Sequence, residues 1–276
     1  MGPLVFGRPL VMGVLNVTPD SFSDGGRYLS VDAALVQARR LIGEGADILD
    51  VGGESTRPGA EPVPVDEELR RVVPVIEALR DCGVPVSVDT RRATVMRAAL
   101  EAGAAILNDV SALTADPGSL PVAAASGAPV VLMHALGDPR TMQDDPRYDD
   151  VVGEVHDYLA ARIETCVSAG IARDRLIVDP GIGFGKTLEH NLALLRSLGR
   201  FHALGCPLLL GVSRKSFIGR LAGGVPADAR LAGSLAGALA GVLHGVHILR
   251  VHDVADTRQA IAVWQAIFQG STTEGS

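Results

Sequence analysis

The feature that most constrains the fold is an alternation that runs through the whole chain. Short aliphatic runs alternate with longer segments in which apolar positions recur every three or four residues. The predicted strands are Leu10–Leu15, Asp47–Val51, Val84–Val88, Ala105–Leu107, Pro129–Met133, Leu176–Val178, Pro207–Gly211 and Ile248–Val251. The predicted helices are Val31–Glu44, Asp66–Cys82, Arg91–Ala102, Leu120–Ser126, Val151–Ala169, Leu188–Ala203, Ala227–Leu243 and Val254–Phe268. Eight strand–helix units in 276 residues fit the usual size of a (β/α)₈ barrel.

The character of the strands favours the same architecture. They are mainly runs of apolar residues and not alternating patterns, as expected for parallel strands that are covered by helices. An open doubly wound sheet is the rival fold, but it normally carries a glycine fingerprint after its first strand, and none is present there. No linker or change of composition divides the chain. We therefore predict an α/β fold, a single-domain TIM barrel over residues 1–276, with a core of about 10–268 and a frayed tail at 269–276.

Charge and composition exclude several classes of function. The net charge of -7 and the pI of about 5.5 argue against bulk attraction to nucleic acid or to an anionic membrane, so any phosphate site must be local. We find no secretory signal and no stretch suited to a membrane span. The three cysteines, Cys82, Cys166 and Cys206, are far apart and are predicted to be reduced thiols. A cytoplasmic protein is expected.

Nearly every predicted strand leads into a residue that could bind a ligand. These residues are Asn16, Asp50, Asp89, Asn108, His134, Asp179, Ser213 with Lys215, and Arg250 with His252. In a parallel barrel the carboxyl ends of the strands share one rim, where active sites are assembled. Strand ends that merely meet solvent would explain one or two of these residues, but not the whole series.

The residue types at the predicted rim indicate the chemistry. Asp89, Asn108 and Asp179 supply acceptors and an amide, which suit a flat heterocycle with an amino-pyrimidinone edge. Lys215 could bind the ring carbonyl and a ring nitrogen. A structural ion-pair network is the alternative interpretation of the same residues. In either case two buried carboxylates require a nearby cation, which Lys215 or Arg250 could supply.

Two loops contain further candidates. The segment Gly52–Gly59 combines glycines, hydroxyl groups and Arg57, a set that suits an anion. The segment Asp179–Thr187 resembles a phosphate loop, but only three residues separate Gly181 from Gly185 where that loop needs four. Lys186 is therefore equally compatible with a solvated charge.

The positions of the histidines and the absence of several motifs narrow the range of possible functions. His134 and His252 do not have a metal-ligand spacing, but His252 lies two residues after Arg250 and could contact the same anion. The motifs HExxH, CxxC and GxSxG are absent, so zinc hydrolase, redox and serine-hydrolase functions lack support.

Several blocks, in this order, resemble the dihydropteroate synthase family of the folate pathway. The blocks are Met12–Gly26, Asp50–Gly59, Ser87–Thr90, Asn108–Ser111, Asp179–Lys186, Ser213–Ser216 and Arg250–Val254. The resemblance extends from Leu10 to about Phe268. It implies a (β/α)₈ enzyme that joins 4-aminobenzoate to 6-hydroxymethyl-7,8-dihydropterin pyrophosphate, a pterinylmethyl transferase assisted by Mg²⁺. It also implies a homodimer and inhibition by sulfonamides.

The resemblance assigns roles residue by residue. It implies that Asp89, Asn108, Asp179 and Lys215 read the pterin edge, that Met133 and Phe184 form pocket walls, and that Arg250 covers the ring. It implies a diphosphate site of Asn16, Arg57, Arg250 and His252, with Asn16 as a Mg²⁺ ligand. It implies an aminobenzoate pocket of Phe22, Thr56, Pro58 and Ser213. Asn16, Arg57, Lys215, Arg250 and His252 are the residues expected to act in catalysis.

The sequence departs from the family pattern at one position, and two alternative functions remain open. Ala135 follows His134 where the family commonly has a second methionine, which loosens one pocket wall. A methyltetrahydrofolate methyltransferase would keep the Asp and Asn residues but would need neither Thr56-Arg57 nor the Ser213–Lys215 block. A non-catalytic pterin-binding homologue is the other alternative. The Ala- and Gly-rich segment Asp228–Leu243 permits close helix packing either within the barrel or against a second subunit.

Overall fold

The computed structural model describes residues 4, 6–17, 27–54, 63–137 and 141–268, with the backbone alone for 27–30. Eight strands lie within these ranges: β1 (Leu10–Asn16), β2 (Ile48–Gly52), β3 (Val86–Asp89), β4 (Ile106–Asp109), β5 (Val130–Met133), β6 (Leu176–Asp179), β7 (Leu209–Gly211) and β8 (Ile248–Val251). They pair in parallel in the order β6-β5-β4-β3-β2-β1-β8-β7. A parallel bridge between Val178 and Leu208 joins β6 to the start of β7 and closes the ring. The predicted (β/α)₈ barrel is confirmed and the open sheet is rejected.

The helices follow the strands around the outside of the barrel. In the described ranges they are α1 (Arg27–Gly43), α2 (Val65–Ala78), α3 (Ala93–Ala102), α4 (Ser119–Ser126), α5 (Val151–Ser168), α6 (Leu188–Arg196), α7 (Ser216–Leu221), α8 (Leu231–Leu243) and α9 (Val254–Phe268). None of these helices is long and apolar enough to cross a membrane. The tail that was predicted to be frayed, 269–276, lies outside the described residues.

Several helices differ from the sequence prediction. Helix α1 begins at Arg27, four residues before the predicted Val31, and α2 ends at Ala78, four residues before the predicted Cys82. The predicted helix Leu188–Ala203 stops at Arg196 and continues as a 3₁₀ helix, Leu198–Leu204, which ends at the left-handed residue Gly205. The predicted helix Ala227–Leu243 begins with a separate 3₁₀ turn, Ala227–Ala229. Helix α7 was not predicted, because six residues are too few to show a helical period.

The barrel interior has two layers of different polarity. The lower layer is apolar and consists of Met12, Ile48, Ile106, Val131, Ile177, Leu209 and Ile248. Side chains two residues apart on a strand share a face, so the next inward layer is polar on four strands. Its members there are Asp50, Asn108, Asp179 and Arg250. The fold therefore places a polar cup directly on an apolar floor, at the carboxyl end of the strands.

The glycine stripe of α8 faces the barrel. A Cβ at Gly233 would lie 2.2 Å from Ile218 Cγ2, and one at Gly241 would lie 2.6 Å from Leu210 Cδ2. Gly237, between them, faces Val212. These three glycines occupy one face at every fourth position, which brings the helix close to the sheet. Of the two packing arrangements left open by the sequence, the packing within the barrel accounts for them.

Candidate active site

The predicted pterin-reading residues come together at one end of the barrel. The strand register places Asp89 opposite Asn108 on the neighbouring strand, and Met133 opposite Asp179. All four side chains are buried in the described structure. The convergence follows from the parallel sheet, because each of these residues ends a strand or lies one residue before its end.

Arg250 occupies the centre of this cluster. Its Nε donates to Asp50 Oδ2 at 2.7 Å and its Nη2 donates to Asp89 Oδ2 at 2.8 Å. Asn108 Nδ2 donates to the same Asp50 oxygen at 3.1 Å. Asp50 is fully buried, so its charge is tolerable only beside a cation. In this structure Arg250 therefore bridges two carboxylates inside the cup.

The carboxylates keep unused hydrogen-bonding capacity. Within the described structure, Asp50 Oδ1, Asp89 Oδ1 and Ser87 Oγ are buried and have no hydrogen-bond partner. Burial raises the pKa of Asp89 to about 7; Arg250 opposes this shift and the charge of Asp50 adds to it. Buried acceptors without donors are costly, and a ligand that brings N–H groups would satisfy them.

Asp179 and Lys215 form the opposite side of the cup. Asp179 Oδ1 accepts from the Gly181 N–H at 2.7 Å. Burial raises the pKa of Asp179, and Lys215 is the strongest of the cations that oppose the shift. Lys215 Nζ donates to the Ile182 carbonyl and lies 4.7 Å from the centre of the Phe184 ring. Burial also lowers the pKa of Lys215 to about 8 despite the nearby Asp179.

The loop after β6 is fixed by side chains from several elements. Four successive carbonyl groups, from residue 182 to residue 185, each accept a hydrogen bond from a different side chain. The pairs are Ile182 with Lys215, Gly183 with Gln143 at 2.5 Å, Phe184 with Lys186 at 2.9 Å, and Gly185 with Tyr148 at 2.9 Å. This loop carries the predicted pocket wall Phe184, so its position is set by the protein and not by solvent.

The interpretation of Lys186 as a solvated charge is wrong. Its side chain is 2% exposed, and its Nζ also lies 2.9 Å from His134 Nδ1. The sequence did not reveal this contact, because His134 lies 52 residues away and no local pattern joins the two.

Ser213 and His252 are in contact at the rim beside β8. Ser213 Oγ accepts from the His252 N–H at 3.2 Å and lies 3.0 Å from His252 Nδ1. Between Ser213 and Lys215 the backbone turns through Arg214, which has a φ of 59°. Arg214 Nε donates to Asp253 at 3.0 Å, and this ion pair joins the loops after β7 and β8. The two loops are thus held together where an anion is predicted to bind.

A second polar network surrounds Glu54, which follows β2. Glu54 Oε1 accepts from the Val63 N–H at 3.1 Å, which joins the end of the described range 27–54 to the start of the range 63–137. Arg91 and Arg92 also contact Glu54, at 3.4 Å and 3.3 Å. Arg92 continues to the fully buried Glu68 at 2.9 Å. The sequence analysis singled out the segment that contains Glu54 but not its partners, since Glu68, Arg91 and Arg92 lie in segments that resemble ordinary helix starts.

Four predicted site residues lie outside the described residues: Phe22, Thr56, Arg57 and Pro58. Asn16 is described, as the last residue of β1, and it pairs in register with Gly52. Among the described residues no group of three His, Cys, Asp or Glu side chains could hold a metal ion. The roles assigned to all these residues remain predictions.

Comparison with known proteins identifies the family. Residues 12–252 match the family described as pterin binding enzyme. The dihydropteroate synthase of Escherichia coli strain K12 is 52% identical over 260 residues, which cover 94% of this chain and 92% of that protein. The chain belongs to the dihydropteroate synthase family.

Solved structures of this family agree with the fold. The Yersinia pestis dihydropteroate synthase, in a complex with a sulfonamide drug, has a TM-score of 0.91 and 48% identity and covers 97% of each chain. The Xanthomonas albilineans dihydropteroate synthase, in complex with 7,8-dihydropteroate, has a TM-score of 0.87 and 50% identity. That match covers 97% of this chain and 96% of the other. The sequence analysis named Asp50 as a strand-end residue but gave it no role in binding, although it lies in the described cup.

Proposed function

We infer that this chain catalyses the dihydropteroate synthase reaction. It condenses 6-hydroxymethyl-7,8-dihydropterin pyrophosphate with 4-aminobenzoate and releases 7,8-dihydropteroate and pyrophosphate, in folate biosynthesis. The observation that carries this conclusion is the convergence of Asp89, Asn108, Asp179 and Lys215 in one cup, in a chain 52% identical to a dihydropteroate synthase. No observation favours methyl transfer or a non-catalytic role.

We propose that the cup recognises the pterin by its amino-pyrimidinone edge. Asp89 and Asp179 accept the N–H groups of that edge, and Asn108 and Lys215 complete the set with donors. The ring lies beside Met133 and Phe184. The unpaired oxygen of Asp89 supports this assignment, because an N–H donor would relieve both its desolvation and its raised pKa.

Arg250 serves the ring and the diphosphate in this proposal. Its Nη2 donates to Asp89 Oδ2 and its Nε donates to Asp50. The pterin edge can donate to the other oxygen of Asp89, Oδ1, while both of these bonds stay in place, so the charge of Arg250 remains at the lip of the cup. Arg57 and His252 complete the diphosphate site. Two guanidinium groups suit an anion that must be held in one orientation as it leaves.

Mg²⁺ fits the donor set as an ion that binds together with the diphosphate. The amide oxygen of Asn16 is the hard oxygen ligand that Mg²⁺ prefers, and Mg²⁺ commonly uses one or two protein ligands plus substrate phosphates and water. Such an ion needs no protein cage of three acidic or imidazole ligands, and the described residues contain no such group that could hold a metal ion. When bound, Mg²⁺ neutralises charge on the departing diphosphate.

The side chains of this chain position the reactants and exclude water. The C–O bond to the diphosphate breaks and a C–N bond to the aminobenzoate nitrogen forms, after which that nitrogen loses one proton. An aromatic amine is a weak base and arrives neutral, so no strong general base is required. Phe22, Thr56, Pro58 and Ser213 hold the amine in line with the leaving group. Because sulfonamides resemble aminobenzoate, we propose that they compete in this pocket.

The pterin assignment is tested with two variants and a control. Lys215→Ala and Asp179→Asn should each weaken binding of 6-hydroxymethylpterin in calorimetry at least about ten-fold, as expected when a hydrogen bond to a charged group is lost. Asp174→Asn is the matched control, because Asp174 is exposed and precedes β6 at the opposite end of the barrel. An unchanged dissociation constant for both cup variants would contradict the assignment.

The transfer itself is tested by product analysis. With pterin pyrophosphate, 4-aminobenzoate and Mg²⁺, pyrophosphate should appear in step with dihydropteroate, and removal of the metal by a chelator should abolish turnover. Arg57→Ala should lower turnover more than the melting temperature. Methyl transfer to a corrinoid without pyrophosphate release, or pterin binding without turnover, would contradict the proposed activity.

We propose a cytoplasmic homodimer, as the family resemblance implies. Large apolar side chains that are more than half exposed occur on the last three helices and support an interface there. They include Leu221 on α7, Leu243 on α8, and Ile267 and Phe268 on α9. Sedimentation velocity should give about twice the 28.7 kDa chain mass. Leu243→Glu should favour the monomer, and a monomeric parent at micromolar concentration would contradict the proposal.

A further inference from the structure

The chain contains only two lysines, Lys186 and Lys215, among 25 lysine and arginine residues. Arginine therefore serves at every other basic position, including the surface and the ion pairs. Both lysines contact the short loop after β6. An ammonium and a guanidinium are not interchangeable where a compact charge must meet several acceptors. The proposed function assigns a role to Lys215 but none to Lys186.

The contacts of Lys186 use its full donor capacity. Its Nζ lies 2.9 Å from His134 Nδ1, 2.9 Å from the Phe184 carbonyl and 3.3 Å from the His134 carbonyl. An ammonium group has three N–H donors, so each acceptor can receive one. A planar guanidinium could not reach the same three positions from one point. Lys186 therefore clamps the loop after β5 to the loop after β6.

His134 is suited to be the acceptor in this clamp. Burial and the charge of Lys186 lower the pKa of His134 to about 3, so its ring is neutral. The Nδ1 atom accepts from Lys186, which assigns the ring proton to Nε2. The ring packs edge-on against Tyr158 at 4.8 Å, and this contact fixes its orientation. The acceptor side of the clamp is thus rigid.

Lys186 also contributes to the charge balance around Asp179. The charged groups that face it are Asp179 from β6 and Lys215 from the loop after β7, while His134 is neutral. The positive charges of Lys215, Lys186 and Arg250 all favour the ionised form of Asp179. Burial lowers the pKa of Lys186 to about 7, Asp179 opposes this shift, and Lys215 adds to it. Its protonation therefore affects a carboxylate that the pterin is expected to contact.

The geometry points to Lys186 as a positioning residue for the pterin ring. It holds the backbone of the wall residue Phe184 and its charge favours the ionised form of Asp179, without touching the substrate. This inference rests on the proposed function, because it concerns how the same cup recognises its pterin.

The inference is tested by comparing Lys186→Met with a variant that removes a neighbouring loop contact but no charge. Lys186→Met keeps the length of the side chain but removes its charge and donors. Tyr148→Phe is the matched control, since it removes one donor to the adjacent carbonyl of Gly185 and no charge. Binding of 6-hydroxymethylpterin should weaken about ten-fold or more in Lys186→Met and less than about three-fold in Tyr148→Phe. In Lys186→Met the KM for pterin pyrophosphate should rise, while kcat at saturation stays within about three-fold of the parent.

Each outcome of this comparison is decisive. A Lys186→Met dissociation constant that rises less than about ten-fold, or no more than that of Tyr148→Phe, would overturn the inference. A parent protein that does not bind the pterin would instead overturn the proposed function.

A second measurement needs no change at Lys186. Labelling lysine with ¹³C at Cε gives only two side-chain signals, which the variant Lys215→Met would assign. If the protonated form binds pterin about ten-fold more tightly, saturation with 6-hydroxymethylpterin must raise the pKa of Lys186 by about one unit, because linkage is reciprocal. An unchanged or lowered Lys186 pKa in the complex would overturn the inference, even if Lys186→Met failed to fold.

Discussion

Gly181 offers the sharpest test of how the loop after β6 builds the cup. Its φ is 68°, a left-handed conformation that disfavours any residue with a Cβ. A Cβ at this position would lie 1.9 Å from the carbonyl oxygen of His134. An ordinary contact begins near 3.4 Å, so the two loops would have to separate by about 1.5 Å. Gly181→Ala is therefore both a conformational and a steric perturbation.

The two costs can be estimated separately. The left-handed conformation costs an alanine about 1–2 kcal/mol. Forcing an extra methyl group into packed structure costs about 1–3 kcal/mol more. We expect Gly181→Ala to lower the free energy of unfolding by about 2–5 kcal/mol, measured by urea denaturation. A displacement of this size at the Asp179 hydrogen bond should also weaken pterin binding by at least about ten-fold.

Gly205 provides a control with the same backbone conformation. Its φ is 67°, and no atom lies within 4 Å of a Cβ built on it. Gly205→Ala should lose only the conformational term, about 1–2 kcal/mol, and should bind pterin like the parent. If Gly181→Ala and Gly205→Ala gave equal losses of stability and equal pterin affinity, the close packing of the two loops would be refuted.

Two further predictions concern the carboxylates under Arg250. Asp89 has a folded-state pKa near 7, above that of an unfolded aspartate, so its ionisation lowers stability as the pH rises from about 4 to 7. Asp89→Asn should therefore raise the free energy of unfolding at about pH 8 by roughly 1–3 kcal/mol, with little gain at about pH 4. The same variant should bind pterin more weakly. Equal effects on stability at both pH values would contradict this prediction. Arg250→Met leaves Asp50 and Asp89 buried without their cation and should cost about 3–5 kcal/mol near pH 8, a loss that shrinks when acid protonates Asp89. A loss below about 1 kcal/mol in urea denaturation would show that the bridge does not hold the cup together.

The architecture of the cup could be predicted because the relevant pattern is local. On four strands an apolar inward residue is followed two positions later by a polar one, as in Ile177 and Asp179. Strand periodicity then places the polar residue above the apolar floor. Parallel topology brings the strand ends to one rim, so the sequence alone predicts that Asp89, Asn108 and Asp179 lie close together.

Other parts of the site depend on contacts between distant segments. Lys186 and His134 are 52 residues apart, and Asp50 and Arg250 are 200 residues apart, so no window of sequence shows that they are partners. The alternative of a structural ion-pair network is partly fulfilled, since Arg250 bridges Asp50 and Asp89. That network and a pterin site are compatible, because Asp89 Oδ1 remains available within the described structure.

The buried charged groups of the cup also lower the stability of the folded protein. Two carboxylates and two lysines have pKa values shifted by burial against their charged forms. Each shift opposes folding at a pH where the group must be ionised. Such an arrangement persists in a protein when the same groups serve a ligand.

The most direct test of the account is a crystal structure of the protein with 7,8-dihydropteroate bound. We expect the amino-pyrimidinone edge to lie within hydrogen-bond distance of Asp89, Asn108 and Asp179, with Asp89 Oδ1 as one of the acceptors. A ligand bound outside the carboxyl end of the barrel, or a pterin edge that contacts none of these three residues, would contradict it.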